Sequence, residues 1–513
     1  MGRSQEVLVL GSGLAGLVFA ALMAHRGSRV TILEAHDRPG GFGHTFTLAG
    51  RYRFNAQLHY VWGCGPGESV DQVLQHLGLG GKVGFARLDP LGFDHMRMPG
   101  YSLDIPADPR LLEQRLVTLF PEAAWAIARF LALVEHSRRD LQSLTPPIPW
   151  RGWLPRLPAL VRMARRQHLT LQQVFEACGL PPAAQTLLAL QWPDFMLPPN
   201  QLAWLAWVAL FTGYQAGAWV PRQQFSSVID ALVGVITGSG GTLLTRMPVR
   251  AFEMEGDRPV AVLAGGGERQ SWQCFAAGEI VCNFDPQHAA AMIGWEQFPH
   301  AVQRQLRYDY SPSNFAAYLV VKGLDLRDYG LGRWNIFHSD DPDLNTCFAR
   351  MYGQQDYRRP SYALASPSLQ SADSGDCPPD CQLLDLLTVA NYDYFRDLRD
   401  RDRSAYRLQK QGVLDALLDS VEAHYIPNLR QHLVLQVSGT PTTNERFCGC
   451  PAGNSYGSSL TPAQFGAGRL THYSGLPHFH FCNASSGYPG FAGTFWTGAH
   501  LYQQLTGDRV GPA

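Results

Sequence analysis

Short apolar runs separated by glycine-rich turns dominate the first forty residues. The stretch EVLVL at residues 6–10 predicts a buried strand, and the alanine-rich stretch LVFAALMAHRG that follows it predicts a helix packed on a sheet. A second apolar run, RVTIL at residues 29–33, predicts another strand. The order strand, helix, strand is typical of a parallel α/β sheet.

The same kind of pattern returns in the middle and at the end of the chain. It predicts a helix over residues 226–237, a strand at 242–244, a hairpin of 249–253 with 260–263, and a strand at 279–282. Near the C-terminus it predicts a strand at 479–482, a glycine-containing loop, and a helix from about 493 to 505. We therefore expect three separate stretches of chain to share one sheet.

Two further stretches are apolar in a different way. Residues 202–219 form an apolar, tryptophan-rich run that glycines interrupt, and it predicts a buried helix beside an apolar cavity rather than a membrane span. Residues 149–169 mix tryptophan and leucine with five arginines. This second stretch predicts either a helix on a membrane interface or a domain-surface helix whose arginines are solvated, and both interpretations stay open.

Composition narrows the class of protein. A chain of 513 residues predicts two joined domains, and 42 basic against 43 acidic residues leave no electrostatic footprint for nucleic acid. The first residues lack the pattern of a secretory signal. The ten cysteines include CPPDC and CGC without a second matching pair, so we expect no metal site and reduced thiols in a cytoplasmic protein.

The most informative motif lies between the first strand and the first helix. Gly11, Gly13 and Gly16 form a G-x-G-x-x-G element, in which the glycines allow a tight turn and close approach of a pyrophosphate to the helix N-terminus. The second strand ends at Glu34, whose carboxylate is placed for ribose hydroxyls. The motif predicts dinucleotide binding; the further candidates at these two turns are Leu14, Ala15 and Ala35.

The next residues narrow the dinucleotide to FAD. Arg38, Gly40 and Gly41 follow Glu34 in an arrangement that resembles the extended fingerprint of FAD-binding proteins in the amine oxidase and carotenoid desaturase superfamily. The resemblance implies an α/β fold with a Rossmann-like FAD-binding domain. It also implies further cofactor contacts, at the adenine, the Asn-x-Asp-Pro turn and the flavin loop, for Val249, Asn283, Phe491, Ala492 and Gly493.

A narrower resemblance covers nearly the whole chain. The stretch GGFGHTFTLAGRYRFNAQLHYVWG is similar to the beginning of retinol saturases, within the family of carotenoid desaturases, carotenoid isomerases and retinol saturases. Two departures stand out: residues 221–225 read PRQQF instead of PRGGS, and Asn483, Ser485 and Ser486 lie where an acidic residue often faces the ribityl chain. The implied domains are a discontinuous FAD-binding domain at 1–80, 225–300 and 440–513, and an inserted α+β substrate domain at 81–224 and 301–439.

Two histidines in this stretch are candidates for proton transfer. If Gly40 and Gly41 lie by the pyrophosphate, His44 and His59 are within reach of the flavin. Hydride transfer to or from a carbon–carbon double bond needs a matching proton step at the neighbouring carbon, which an imidazole can serve near neutral pH. Tyr60 and Tyr456 are further candidates. The alternative for both histidines is a hydrogen bond to the cofactor or the backbone.

The resemblance implies an FAD-dependent oxidoreductase that acts on double bonds of an apolar, conjugated polyene by saturation, desaturation or flavin-assisted cis–trans isomerisation. Two other functions remain open: an amine or amino-acid oxidase on the same cofactor fold, and a non-catalytic FAD-bound protein. We expect an apolar small-molecule substrate, no nucleic acid, and a cytoplasmic protein that can bind peripherally to a membrane. The electron partner is not identified by the sequence.

Overall fold

The computed structural model describes residues 6–57, 59–144, 152, 154–268, 271–371 and 375–511. Its strands are β1 Glu6–Leu10, β2 Arg29–Leu33, β3 Thr45–Leu48, β4 Tyr52–Asn55, β5 Phe85–Arg87, β6 Asp94–Met98, β7 Tyr101–Ile105, β8 Trp219–Pro221, β9 Thr242–Leu244, β10 Val249–Glu255, β11 Arg258–Ala264, β12 Gln273–Ala276, β13 Glu279–Cys282, β14 Ser313–Lys322, β15 Asn335–Ser339, β16 Ser361–Ala365, β17 Cys381–Ala390, β18 Leu433–Gly439 and β19 Phe479–Phe481. Its α-helices are α1 Leu14–His25, α2 Ser69–His76, α3 Pro109–Leu119, α4 Ala124–Ser143, α5 Leu157–Arg166, α6 Leu171–Cys178, α7 Pro182–Ala189, α8 Trp204–Ala216, α9 Gln224–Gly238, α10 Pro286–Ile293, α11 His300–Leu306, α12 Leu344–Phe348, α13 Pro367–Gln370, α14 Tyr392–Arg401, α15 Arg403–His424, α16 Pro441–Cys448 and α17 Gly490–Thr506.

A five-stranded parallel sheet forms the first layer of the fold. Its strand order is β19-β13-β1-β2-β9, and every neighbouring pair is parallel. The apolar run of β1 is buried over four of its five residues, as expected for a strand covered on both faces. The strands come from the beginning, middle and end of the chain, so the Rossmann-like domain is discontinuous.

Helices α1, α9 and α17 cover one face of this sheet, and the antiparallel sheet β10-β11-β12 covers the other. The backbones of α1 and α17 approach closely because a Cβ on Gly498 would lie only 2.4 Å from the carbonyl oxygen of Ala15. This contact fixes the C-terminal helix against the helix that begins at the glycine motif.

A seven-stranded sheet organises the inserted domain. Its order is β18-β14-β17-β16-β15-β6-β7, with β15 and β6 parallel and the other pairs antiparallel. The central strands β14 and β17 are buried almost from end to end, because helices and loops cover both faces. The predicted fold class is therefore confirmed: a Rossmann-like α/β domain carries an inserted α+β domain.

The structure corrects three predicted element bounds. Helix α9 begins at Gln224, two residues earlier than predicted. The apolar run 202–219 is helical only as α8, and it then turns into strand β8. Helix α17 begins at Gly490, so the three candidates predicted for the flavin loop, Phe491, Ala492 and Gly493, lie instead in its first turn.

Some predictions concern residues that the structure does not describe, and the predicted domain boundaries are not tested by it. The N-terminal residues 1–5, together with Trp150, Arg151 and Trp153, lie outside the described residues, and the exact domain boundaries stay a prediction. All ten cysteines are free thiols. Among the described helices, none is both long and apolar enough to cross a lipid bilayer.

Candidate functional site

Two glycines of the motif, Gly13 and Gly16, lie directly against the side chain of Asn283. Gly11 adopts φ 96° and donates its N–H to the carbonyl of Leu33 at 2.7 Å, which brings the turn across the end of β2. A Cβ on Gly13 would lie 2.6 Å from Oδ1 of Asn283, and one on Gly16 would lie 2.7 Å from its Cγ. The second and third glycines therefore make room for Asn283, whose amide also donates to the carbonyl of Cys482.

Glu34 lies at the end of β2 beside this turn. Its Oε2 accepts the N–H of Ser12 at 2.7 Å and also the Ser12 hydroxyl, while Oε1 accepts the N–H of His36 at 2.8 Å. The carbonyl of Glu34 accepts the N–H of Met247, two residues before Val249. The carboxylate predicted for the ribose thus stands at the edge where Val249 begins β10, and it also holds the glycine turn in shape.

The second glycine pair lies directly against the first. Gly40 donates its N–H to the carbonyl of Ser12 at 3.0 Å and forms a β-bridge with Gly13. Within the described residues, no side chain caps the N-terminus of α1, so its first N–H groups stay available to an anion. Leu14 and Ala15 form the buried first turn of that helix, whereas Ala35 and Arg38 are exposed. We call the turn of Gly11 and Gly13, the start of α1 and the pair Gly40 and Gly41 the nucleotide cradle, and it fits the pyrophosphate of a dinucleotide.

The loop before α17 completes this part of the site. Asn483 donates to the carbonyl of Phe284 at 3.0 Å, and its Oδ1 accepts the N–H groups of Ser485 and Ser486 at 2.9 and 3.0 Å. Its amide therefore shapes the loop itself. In the first turn of α17, the ring of Phe491 lies 5.4 Å from that of Phe225, so the PRQQF segment reaches the helix end predicted for the flavin.

His44 belongs to the nucleotide turn. Its Nδ1 lies 2.6 Å from the carbonyl oxygen of Gly41, and its ring lies 6.1 Å from that of His36. Burial lowers the pKa of His44, and the bond to Gly41 opposes this shift. The geometry agrees with the alternative of a histidine that bonds the backbone.

The other three catalytic candidates come together elsewhere, around a buried group of acids. The hydroxyl of Tyr60 donates at 2.9 Å towards Asp194 and at 3.0 Å towards Asp94, and it accepts the amide of Gln191 at 2.6 Å. Asp94 also accepts the amide of Asn335 at 2.9 Å. Because one hydroxyl proton cannot serve two carboxyls at once, Tyr60 couples the protonation of the pair. We call these five residues the acid cluster.

Burial raises the pKa values of the acids in this cluster. It raises the pKa of Asp194 to about 7, although the hydrogen bond from Tyr60 opposes the rise. It also raises the pKa of Asp94 and of Tyr60 well above their usual values. Asp194 retains some exposure although protein surrounds its carboxyl, which indicates that it borders an internal space. A carboxyl group with such a pKa can hold or release a proton near neutral pH.

His59 and Tyr456 border the same region. Nδ1 of His59 lies 3.7 Å from Oδ2 of Asp385. The charge of His59 acts to lower the pKa of Asp194, and the charge of Asp194 helps to raise the pKa of Tyr456. Among the described residues, Nε2 of His59 has no hydrogen-bond partner although it is buried. Burial raises the pKa of Asp385, and the imidazole opposes this rise.

The acid cluster is also close to the nucleotide-binding domain. Three residues beyond Tyr60, a Cβ on Gly63 would lie 3.5 Å from the Cβ of Ala492 in the first turn of α17. The chain from His59 to Gly63 therefore runs between the acids and the helix end predicted for the flavin.

Four polar residues of this region were not predicted from the sequence: Asp94, Asp194, Gln191 and Asp385. One of them carries a visible signal, since Asp385 interrupts the otherwise apolar core of β17, LLDLL, and a lone acid in a buried strand needs a reason. The others come from two distant segments, β6 and the segment after α7, that only the tertiary fold brings to Tyr60.

Comparisons with known proteins agree with this architecture. The profile of the NAD(P)-binding Rossmann-like domain matches residues 9–77. An all-trans-retinol 13,14-reductase from Danio rerio is 23% identical over 505 residues, covering 90% of this chain and 79% of the relative. A chloroplastic prolycopene isomerase from Daucus carota is 21% identical over 483 residues, covering 89% and 72%. Among solved structures, a putrescine oxidase variant superposes with a TM-score of 0.64 at 14% identity, covering 98% of this chain and 99% of its own, which supports the fold alone.

Proposed function

Because this chain belongs to the family of FAD-dependent carotenoid desaturases, carotenoid isomerases and retinol saturases, we propose that it is an FAD-dependent oxidoreductase acting on carbon–carbon double bonds of an apolar, conjugated polyene. The observation that carries the proposal is the acid cluster around Tyr60, whose chain reaches the first turn of α17 three residues later, at Gly63. Of the three reactions open to the family, net addition or removal of hydrogen explains this cluster best, because isomerisation needs no net proton transfer.

The nucleotide cradle fits FAD. The uncapped N-terminus of α1 and the paired glycines Gly13 and Gly40 would hold the pyrophosphate, with Glu34 near the ribose. The second glycine pair is the feature that favours FAD over a nicotinamide dinucleotide. Bound FAD would supply hydride-transfer chemistry.

The protein residues donate or accept the proton that accompanies hydride transfer. With a pKa raised to about 7, Asp194 can carry a proton in slightly acidic solution and release it in slightly basic solution. Tyr60 links it by hydrogen bonds to Asp94, a second carboxyl that can hold a proton. His59, held beside Asp385, keeps an unpartnered Nε2 among the described residues, which suits it to orient a substrate or a bound water. Tyr214 is buried, with its ring stacked on that of Tyr60 at a centroid distance of 4.1 Å, and together with the partly buried Tyr456 it would shield these groups from bulk water.

The test is the visible spectrum of the flavin under anaerobic conditions. The protein is started oxidised or dithionite-reduced and mixed with all-trans-retinol or prolycopene. We expect reoxidation of the reduced flavin for a saturase, or bleaching of the oxidised flavin for a desaturase. A change of polyene geometry without net flavin oxidation would mean isomerisation and would overturn the redox proposal. Bleaching by an amine but not by polyenes would favour an amine oxidase.

We also propose that the enzyme works at a membrane surface, where apolar polyenes dissolve. The supporting feature is an apolar face at the start of α5, where Leu154, Leu157 and Val161 are 71%, 48% and 49% exposed. Arg165 lies exposed near the end of the same helix, within reach of anionic head groups. Arg162 is bound to Asp140 and orients the helix on α4.

Vesicle sedimentation tests this surface. Wild-type protein should sediment with vesicles of phosphatidylcholine and phosphatidylserine, and L157S/V161S should remain in the supernatant. L408S is the matched control, since Leu408 is 76% exposed on a different helix, α15. Equal sedimentation of all three proteins would contradict the proposal.

A further inference from the structure

Two histidines and one carboxylate converge at the end of strand β15. His338 belongs to β15, Asp340 follows that strand, and His424 is the last residue of α15. One ligand atom from each residue lies within 4.8 Å of the other two. His338 lies three positions from Asn335, and side chains three positions apart on a strand point to opposite faces. The group is therefore separate from the acid cluster, which Asn335 contacts.

We propose that His338, Asp340 and His424 bind a divalent transition-metal ion of the zinc class. Both imidazoles present Nε2 to the same oxygen, Oδ1 of Asp340, at 3.0 Å from His338 and 2.9 Å from His424. Around a tetrahedral zinc ion with bonds of about 2.0 to 2.1 Å, such donors lie about 3.3 Å apart. Each gap needs to widen by only a few tenths of an ångström to admit the ion.

The neighbouring contacts orient these ligands as the outer contacts of a metal site do. The hydroxyl of Ser420 donates to Oδ2 of Asp340 at 3.0 Å, which turns Oδ1 towards the histidines. The hydroxyl of Tyr425 lies 2.7 Å from Nδ1 of His338. With a metal on Nε2, the ring proton moves to Nδ1 and is donated to this tyrosine oxygen, so both tautomers of His338 keep a partner.

Charge and access agree with a cation at this position. Arg359 lies nearby, but it donates to the backbone carbonyl of Asp340 at 2.7 Å and not to the carboxylate. The side chain of His424 is 45% exposed, which gives an ion a path from solvent and leaves a fourth coordination position for water. Imidazole and carboxylate donors suit zinc, and also Co²⁺, which makes cobalt a spectroscopic probe.

We expect the bound metal to stabilise the contact between β15 and α15. The metal would tie the end of β15 to the C-terminal end of α15, which are otherwise joined here by hydrogen bonds through Asp340. Since the ion binds only the folded arrangement, it should raise the unfolding temperature in proportion to the logarithm of its concentration. The site is independent of the proposed reaction.

The experiment measures Zn²⁺ binding by calorimetry and Co²⁺ binding by visible absorption, on protein freed of metal by chelator. We expect one tight site per chain, at least about tenfold weaker in H424A and D340N. H136A is the matched control, because His136 is an exposed helical histidine on α4, and it should bind like the wild type. H424A removes an exposed side chain, so folding is kept.

A second readout separates this site from binding elsewhere, for example at thiols. Zn²⁺ should raise the unfolding temperature of the wild type and H136A, and should leave that of H424A unchanged. Absence of stoichiometric binding, or equal affinity and equal thermal shift in H424A and the wild type, would overturn the proposal. In that case the three residues form only a hydrogen-bonded link between strand and helix.

Discussion

The nucleotide cradle and the acid cluster differ in whether their polar groups already have hydrogen-bond partners. At the cradle, backbone N–H groups at the start of α1 have no side-chain cap among the described residues, and the lack of a Cβ on Gly13 and Gly16 makes room for the side chain of Asn283. In the acid cluster, three neutral side chains already bond to two buried carboxyls. The cradle is therefore built to receive a charged ligand, whereas the cluster is built to hold a proton away from water.

The contrast extends to how each region is assembled. The cradle is made of tight local turns, each determined by a few consecutive residues whose backbone contacts are specific. The cluster joins side chains from Tyr60, β6, the segment after α7 and β15, so its properties depend on burial produced by the whole inserted domain. Changes at the cradle should act on cofactor binding, and changes at the cluster should act on rate and pH dependence.

The largest effect is expected from D194N. Removing a group that transfers a proton in the rate-limiting step lowers kcat by about 10²- to 10⁴-fold. If Asp194 donates the proton, as in saturation, the wild-type rate falls as pH rises through about 7; if it accepts, as in desaturation, the rate falls as pH drops through about 7. The variant should lose that limb of the profile while keeping its flavin, and exposed Asp257 offers the control D257N.

A stability measurement provides a second readout for the same residue. The pKa of Asp194 is raised in the folded state, so the native protein binds more protons than the unfolded chain between about pH 4 and 7. Wild-type stability should fall as pH rises across this window, and D194N should show a shallower fall. Identical pH dependence in both proteins would remove Asp194 from the proposed role.

The next effect concerns the cradle. G13A places a Cβ 2.6 Å from Oδ1 of Asn283, and overpacking of this kind costs about 1–3 kcal/mol. We expect FAD to bind about 10- to 100-fold more weakly, measured by flavin content and fluorescence titration. G234A is the control, because a Cβ there meets nothing within 4 Å. The double variant G13A/N283A relieves the contact and should recover part of the affinity; unchanged affinity in G13A would contradict the assignment.

These two regions also explain what the sequence could predict. Strands β1, β2, β9 and β13 have the predicted bounds, because contiguous apolar runs and glycine turns are local signals. The predicted start of α17 was wrong, because Pro489 and Gly490 are typical loop residues, whereas in the structure Pro489 is the N-cap and Gly490 the first residue of the helix. Asp94 and Asp194 carried no local signal, because their pKa values arise from neighbours more than thirty residues away in sequence.

A smaller effect is expected from H59A, which tests whether the pair with Asp385 stabilises the fold. Burial raises the pKa of Asp385, and His59 opposes this rise. Without His59, the free energy needed to ionise Asp385 in the folded protein should therefore increase. We expect a loss of about 1–3 kcal/mol in the free energy of unfolding at pH 8. The loss should shrink at a pH low enough to protonate Asp385, whose pKa is raised, and H59A/D385N should recover stability. An equal loss at both pH values would show that packing, and not charge, is the cause.

The smallest effect is expected from Q224G, at the point where PRQQF replaces the glycines of relatives. Gln224 adopts φ 61°, a left-handed conformation that glycine reaches without strain, and its buried Oε1 has no hydrogen-bond partner among the described residues. Glycine should relieve both costs but lose side-chain packing, so we expect a gain of at most about 1 kcal/mol in denaturant unfolding. Q223G is the control, since Gln223 has φ −129° and gains nothing from glycine. A clear loss of stability in Q224G would mean that packing contacts of the buried Gln224 side chain outweigh the backbone strain. This turn would then resemble the packed interior around the acid cluster more than the glycine-rich nucleotide cradle.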